Sequence, residues 1–517
     1  MSDTASKDEV VDVLIAGAGP AGLALAGELG RAGVRALVLE REPEPPGFCR
    51  GFNLNARSLE LLDRRGLAAG FLAEGPTVQT TMFVGASRLD LTAMRAKHPY
   101  ALGIPQTRVE ELLAEWAVGS GARVARSRRL TGLRQEGDGV TVEVDGPGGP
   151  STVRCRWLVG CDGGRSTVRK AAGIGFPGTR ARNFTLLGDV VLADPSAVSF
   201  GPNAGPGGPS VFAIPRPGYV RLLTADPAPP ADPHEPVPLD FFQRAIDTAL
   251  GHRVEIAEAR WLTRFGDAAR LAERFRAGRV LLAGDAAHIH PPAGAIGVNA
   301  AIDDAVNLGW KLALVARGQA PDTLLDTYDD ERHAAGKRLL RNTRAQAVLA
   351  PANGDDDRLA PVRDLLAELA ESRDTAGPLA EAITGIGTQY PASGDAAHPW
   401  AGRMVPDIPL GPDSEDSLTA LLTRSNGGAL LLDGAAGADA LSATARPWTN
   451  RVTTAHTHPH ALERARAILV RPDGHAAWID APSTPVDAAA EELRKNLTDW
   501  FGHPATLADG AARTGHL

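Results

Sequence analysis

Short apolar runs, each closed by a turn, set the framework of this 517-residue chain. Val10 to Ala16 (VVDVLIA) has the composition of a strand buried on both faces, and helix-spaced sequence follows as far as Arg31. Val34–Leu39, Arg156–Gly160 and Val280–Ala283 repeat the strand pattern. Alternation around Val124–Val144, with a turn at GPGGP, predicts antiparallel strands. Short strand-like runs at Thr185–Leu192 and Tyr219–Thr224, separated by the loops GPNAGPGGP and DPAPPADPHEPVP, predict a separate inserted sheet. Helices are expected from about Asn55 to Arg65, from a Thr107 cap through Leu112 and Leu113, and from about Asn299 to Arg317. The last is amphipathic, with Ile302, Ala305, Val306, Gly309 and Leu312 on one face. More helix is expected from Asp322 to Leu349, then a loop near Pro351–Arg358 and another helix. His398–Leu410 reads as a linker into a C-terminal unit with strands near Gly427–Leu432 and Ala467–Val470. There an RPDG turn leads into Ala476–Ile479, and a final helix covers Val486 to Phe501.

Composition narrows the class. A 43% hydrophobic, 22% charged chain is ordinary for a globular protein with ample core. No apolar run is long enough to cross a bilayer and the N-terminus lacks a signal-peptide pattern, so the expected location is cytoplasmic. A net charge of −8 without a long basic run argues against a nucleic-acid partner. Cys49, Cys155 and Cys161 have neither zinc-site nor disulfide-framework spacing, so no metal site is expected.

Candidate chemistry lies where strands end. GAGPAG, Gly17-Ala18-Gly19-Pro20-Ala21-Gly22, stands between the first strand and first helix, with Glu40 eighteen residues beyond its last glycine. In that context Gly17 makes the turn, Gly19 admits a pyrophosphate, Gly22 lets helix and strand pack, and Glu40 accepts from a ribose. An acid there favours FAD or NAD over NADP. Cys161-Asp162-Gly163-Gly164 is a second strand-end turn, either a place where backbone meets a cofactor or a capped βα turn. The third is Gly284-Asp285, followed by Pro291-Pro292, then Gly294 and Gly297 at a helix start that suits an anion or an electron-rich ring. Arg50, in the loop before Asn55, is either a solvated cation or a group reaching the reacting centre. Gln106 and Arg108 stand at a helix start, placed for a ligand or for capping.

Together GAGPAG with Glu40, CDGGRSTVR (Cys161–Arg169), GDAAHIHPP (Gly284–Pro292) and DAVNLGWKLA (Asp304–Ala313) resemble the class A FAD-dependent aromatic monooxygenases, phenol-hydroxylase-like enzymes of the aromatic-polyketide hydroxylase type. The resemblance covers nearly the whole chain. It implies an α/β fold: a discontinuous Rossmann-like FAD-binding domain (1–175 and 266–397), an inserted β-sheet substrate domain (176–265) and a C-terminal thioredoxin-like domain (398–517). That last domain lacks a C-x-x-C pair. By resemblance, FAD is held by the Gly17–Gly22 turn, Glu40, Arg41, Arg50, Gln106, Asp162, Gly284, Asp285, Gly297, Val298 and Asn299. Arg50, Pro292 and Gly297 border the reacting centre. The implied reaction uses NADPH and molecular oxygen to hydroxylate a phenolic polycyclic aromatic through a flavin C4a-hydroperoxide, in a monomer or homodimer.

One departure qualifies the match. Where family members read close to GGQGLNTGIQDA, this chain has GAIGVNAAIDDA, so Ala295, Ile296 and Asp303 replace a glycine and two glutamines. The rival outcomes are Baeyer–Villiger oxygenation of a polycyclic ketone and, in another class, a non-catalytic nucleotide-binding carrier. His288 and His290 flank the third motif, with a structural hydrogen-bonding role at least as good a reading as a catalytic one.

Overall fold

The computed structural model describes residues 11–504 except 84–87, 204, 206–210, 233–234, 350–358, 412–415, 435 and 459. The loop expected near Pro351–Arg358 and parts of both Pro/Gly-rich loops therefore lie outside the described residues.

Val11–Ala16 lies between Ser151–Gly160 and Ala36–Leu39, parallel to both. Val280–Leu282 extends the sheet on one side and Arg123–Ala125 on the other, again parallel. Val11–Ala16, Ala36–Leu39, Val280–Leu282 and the end of Ser151–Gly160 beside them are apolar, as strands buried on both faces are. Strand order reverses between Val11–Ala16 and Ser151–Gly160, and the crevice at such a switch point is where open α/β sheets bind ligands. The strand ends there carry Gly17 and Cys161-Asp162. Arg123–Ala125 was expected in an antiparallel set. The antiparallel pairing instead belongs to Arg129–Glu136 and Gly139–Asp145, which extend the long Ser151–Gly160 strand.

Helix Pro20–Arg31 packs across helix Gly297–Ala316 at Gly309, where a Cβ would lie only 2.4 Å from Glu28 Cβ. The helix expected from a Thr107 cap is Gln106–Gly119, and Pro105 occupies its N-cap without a side-chain bond. Asn55 caps Ala56–Asp63 by accepting from Ser58 N–H.

The inserted sheet runs Gly201–Asn203, Val211–Arg216, Tyr219–Ala225, Phe184–Leu192, Ile256–Gly266, antiparallel throughout. Alternation sends Leu186, Val190, Val220 and Leu222 to one face, against Phe242 and Ile246 of helix Leu239–Leu250. The opposite face carries two cross-strand rows. One is Phe212, Leu223, Leu187 and Thr263; the next is Ile214, Arg221, Asp189 and Trp261. Phe212, Leu223, Thr263, Ile214 and Trp261 stay partly exposed.

The C-terminal unit is thioredoxin-like. Gly428–Leu432 pairs in parallel with Val452–His456 through helix Ala438–Ala445, and Ala467–Val470 and Ala476–Asp480 follow antiparallel. Helix Val486–Phe501 closes it over Trp448 and Trp478. The stretch His398–Leu410, expected as a linker, is not one. Trp400, Val405, Ile408 and Leu410 are buried in this unit's core, and isolated bridges join Ala401 to Ala476 and Met404 to His475. Pro406 and Pro409 keep it from regular pairing, so it docks through side chains. Among the described residues, no helix is long and apolar enough to cross a membrane.

Candidate cofactor site

The first glycine turn is built by contact with the second. Gly17 has φ +104°, and a Cβ there would stand 2.4 Å from Cys161 O. A Cβ on Gly22 would meet Gly17 O at 2.0 Å, whereas one on Gly19 would meet nothing within 4 Å. Helix Pro20–Arg31 opens at Gly19 with no side-chain cap. Its free N–H groups at Ala21 and Gly22 therefore stand behind open space, a cradle that fits the pyrophosphate of a dinucleotide. Glu40 ends its strand beside this turn and accepts from Ala18 N–H (2.8 Å) and Glu42 N–H (3.0 Å). Arg41 points to solvent and pairs with Glu42.

Asp162 caps helix Thr167–Ala171. It accepts from Ser166 Oγ and from the N–H groups of Thr167 (2.6 Å) and Val168 (3.1 Å). That is the capped-turn reading, and it still leaves Gly163 and Gly164 alongside the switch point.

In the third motif Gly284 has φ +62° and donates to Asp304 Oδ2 (2.9 Å), which throws Asp285 outward with an exposed carboxylate. Pro291 is buried and Pro292 exposed. Gly294 (φ +72°) and Ala295 (φ +50°) then turn the chain into helix Gly297–Ala316, whose N-cap, Ile296, offers no side-chain acceptor. Gly297 and Val298 thus present backbone N–H. The Asn299 side chain is committed elsewhere: its Oδ1 accepts from Asn55 N–H (2.8 Å) and Ser58 Oγ (2.7 Å). His288 is a brace, with Nε2 on Asp304 (2.8 Å) and a buried, unpartnered Nδ1. His290 donates from Nδ1 to Pro291 O, and burial lowers its pKa.

Arg50 is exposed, its guanidinium 5.6 Å from the Phe48 ring. Gln106 holds the same loop, donating its N–H to Gly51 O (2.9 Å), while its amide donates to Glu110. Arg108 is engaged away from the turn, with Glu74 and Glu111. Sequence reading did not single out the sheet side of this loop. Phe48 stacks on Trp261 at 4.5 Å, and Arg221, paired with Asp189, donates to the carbonyls of Cys49 and Arg50. The only signal was a charged pair inside two apolar strands, and its meaning depends on register.

The remainder of the Gly297–Ala316 helix is buried on every side, not only on its apolar face. Asp303 pairs with Arg57 and Arg332, and Asp304 with Arg332 and His288. Lys311 pairs with Glu331, which accepts a two-pronged bond from Arg471. Asp473 accepts from Trp310 Nε1 and Arg471. The RPDG turn therefore carries the ions that dock the C-terminal unit. Burial lowers Lys311 to about 8 and His475 to about 3. His475 Nδ1 donates to Gly402 O, so neutral Nε2 is left to accept from Arg57.

Comparison with known proteins agrees with this geometry. Residues 10–343 match the family model described as FAD binding domain, and 398–504 match aromatic-ring hydroxylase, C-terminal. A 12-dehydrotetracycline 5-monooxygenase/anhydrotetracycline 6-monooxygenase of Streptomyces rimosus is 42% identical over 514 residues, covering 96% of this chain and 99% of the relative. A rifampicin monooxygenase of Streptomyces venezuelae is 40% identical over 506 residues, 95% of this chain and 98% of the relative. The solved OxyS anhydrotetracycline hydroxylase from Streptomyces rimosus superposes with a TM-score of 0.86 at 41% identity, covering 96% of this chain and all of that one.

Proposed function

The chain belongs to the FAD-binding monooxygenases that carry the aromatic-ring hydroxylase C-terminal domain, and from that premise we propose that it hydroxylates a phenolic polycyclic aromatic of polyketide type with NADPH and molecular oxygen. The observation that carries the substrate class is the sheet face left partly open beside the Phe48–Phe52 loop. Phe212, Leu223, Leu187 and Thr263 form a mainly apolar row across four neighbouring strands, a surface suited to the face of fused rings. The names of the relatives, which give 12-dehydrotetracycline, anhydrotetracycline and rifampicin as what they oxidise, support the same class.

The residues divide the work. Glu40 takes the adenosine ribose, the N–H groups at the start of Pro20–Arg31 the pyrophosphate, and Asp285 the ribityl chain. Asp162, Gly163 and Gly164 line the crevice beside them, and Gln106 supports the ribityl side. Bound FAD supplies a two-electron store, filled from NADPH, that activates oxygen. The Gly297 and Val298 N–H groups at the helix start stabilise negative charge at the ring edge. Pro292 and the sheet face keep water from the reacting centre, and Arg50 supplies a cation beside it. Domain limits of 1–175 with 266–397, 176–265 and 398–517 accompany this reading.

Reconstitution with FAD, NADPH, ¹⁸O₂ and anhydrotetracycline or a related phenolic polycycle tests it. The expected product carries one labelled phenolic or tertiary hydroxyl, located by NMR. A labelled ring-expanded lactone would replace hydroxylation with the Baeyer–Villiger outcome, and a protein that binds no FAD would leave only the carrier reading.

A further inference from the structure

The Phe48–Phe52 loop is the seam between the inserted sheet and the cofactor crevice, and its sheet side is unusually polar. Asp189 and Arg221 stand directly opposite in register on neighbouring strands, 5% and 2% exposed. Packing alone would be served by apolar residues there, since taking two charges out of water costs more than most ion pairs return. The fork explains their presence. Arg221 Nε and Nη2 each lie 2.7 Å from Asp189, which fixes the guanidinium plane. The remaining donors then face the loop: Nη2 reaches Cys49 O and Nη1 reaches Arg50 O at 3.2 Å.

Those two carbonyls belong to the peptide planes on either side of the Arg50 Cα. Fixing both planes fixes φ and ψ at Arg50 and hence the direction in which its side chain leaves the backbone. The next plane is fixed from the opposite side, by Gln106 N–H on Gly51 O. Rings bracket the same segment. Phe48 lies on Trp261, and Phe52 lies under the guanidinium groups of Arg216 (3.7 Å) and Arg221 (4.4 Å).

We propose that Arg221, held by Asp189, is a positioning residue: it clamps the two peptide planes around Arg50 and so ties the aim of that cation to the substrate sheet. The proposal rests on the reading above that Arg50 borders the reacting centre. It makes the loop answer to the sheet, because a ligand lying along the Leu223–Leu187–Thr263 row adjoins the Arg221–Asp189–Trp261 row.

Arg221→Lys is the main variant, since lysine keeps the charge beside Asp189 and loses the fork. Arg221→Met with Asp189→Leu removes the pair without leaving a bare buried charge, and serves if the lysine variant folds poorly. In FAD-free protein, hydrogen exchange across residues 48–52 and tryptic cleavage after Arg50 should both accelerate about tenfold, the loss of one to two charge-assisted bonds. In FAD-loaded protein, kcat should fall about tenfold with the KM for NADPH nearly unchanged. Combining Arg221→Lys with Arg50→Ala should give no further loss beyond Arg50→Ala. Unchanged loop exchange in both Arg221 variants overturns the clamp. Losses that multiply in the double variant also overturn it, because Arg221 would then act independently of Arg50. Normal turnover in Arg50→Ala alone overturns the reading of Arg50 itself, whereas faster loop exchange in that case still supports the clamp.

Discussion

The two ends of one helix show opposite uses of polar groups. Along its body, Asp303, Asp304, Asn307 and Lys311 are buried, and each is bonded to Arg57, Arg332, His288 or Glu331. At its tip, Gly297 and Val298 offer backbone N–H with no side-chain cap, and the neighbouring Asp285 carboxylate is exposed. Groups spent on internal partners position an element; groups left idle at a crevice are held for something that arrives. The body is the dock for the C-terminal unit, and on the function proposed above the tip is kept for the cofactor.

This contrast breaks if body variants change cofactor affinity or tip variants change the fold. The largest expected effect is in the body. Glu331→Ala strips Lys311 and Arg471 of their shared acceptor and should cost about 3–5 kcal/mol in denaturant unfolding. FAD affinity of the fraction still folded should stay near that of the parent. Equal loss of FAD binding in native protein would merge the two ends into one unit.

Acid should attack the body next. Burial holds His475 at about 3 and, against its own burial, the Arg471 and Lys311 charges hold Glu331 at about 2. Below 6.5 the unfolded chain binds a proton at the histidine that the folded chain refuses until about 3. Below 4.5 the same holds for Glu331, so stability falls as pH drops through both windows. Each group contributes at most about 1.4 kcal/mol per pH unit. His475→Gln should flatten the stability profile between pH 6.5 and 4.5, where of these two groups only the histidine takes up its proton in the unfolded chain. A profile as steep as the parent's would show that the slope arises elsewhere.

At the tip, Asp285→Ala should weaken FAD binding by about 1–3 kcal/mol through one unpaired cofactor hydroxyl. The melting temperature of the FAD-free protein should not move, as the carboxylate is exposed. Isothermal titration and a thermal melt check the two halves. The smallest effect belongs to Ala295, a side chain held at φ +50°. Ala295→Gly relieves a left-handed penalty of roughly 1 kcal/mol, partly offset by a looser unfolded chain, so a gain of a few tenths is expected. A loss of stability would mean that the methyl group packs usefully.

Sequence showed the tip better than the body, for physical reasons. Gly17, Gly19, Gly22, Glu40 and Asp285 work through backbone freedom and strand-end position, which spacing records directly. Asp303, Asp304 and Lys311 carry the charge signs of any solvated helix face. Their burial depends on Arg57, Arg332 and Arg471, which are remote in sequence. His398–Leu410 misled for the same reason: its prolines announce irregular chain, and nothing local says that Trp400, Val405 and Ile408 find a core. Arg221 and Asp189 needed the strand register before their charges meant anything.

The pairing of Glu331 with Arg471 also sets an order of assembly, since its partner follows it by 140 positions. At roughly 5–20 residues per second, a nascent chain carries Lys311 and Glu331 for about 7–28 seconds before the RPDG turn is even synthesised. Through that interval the helix at the centre of the cofactor half has its charges half-answered and its last neighbours missing. The ion pairs that dock the C-terminal unit therefore form only after that interval, so the body of this helix gains its last partners long after the helix itself has been made.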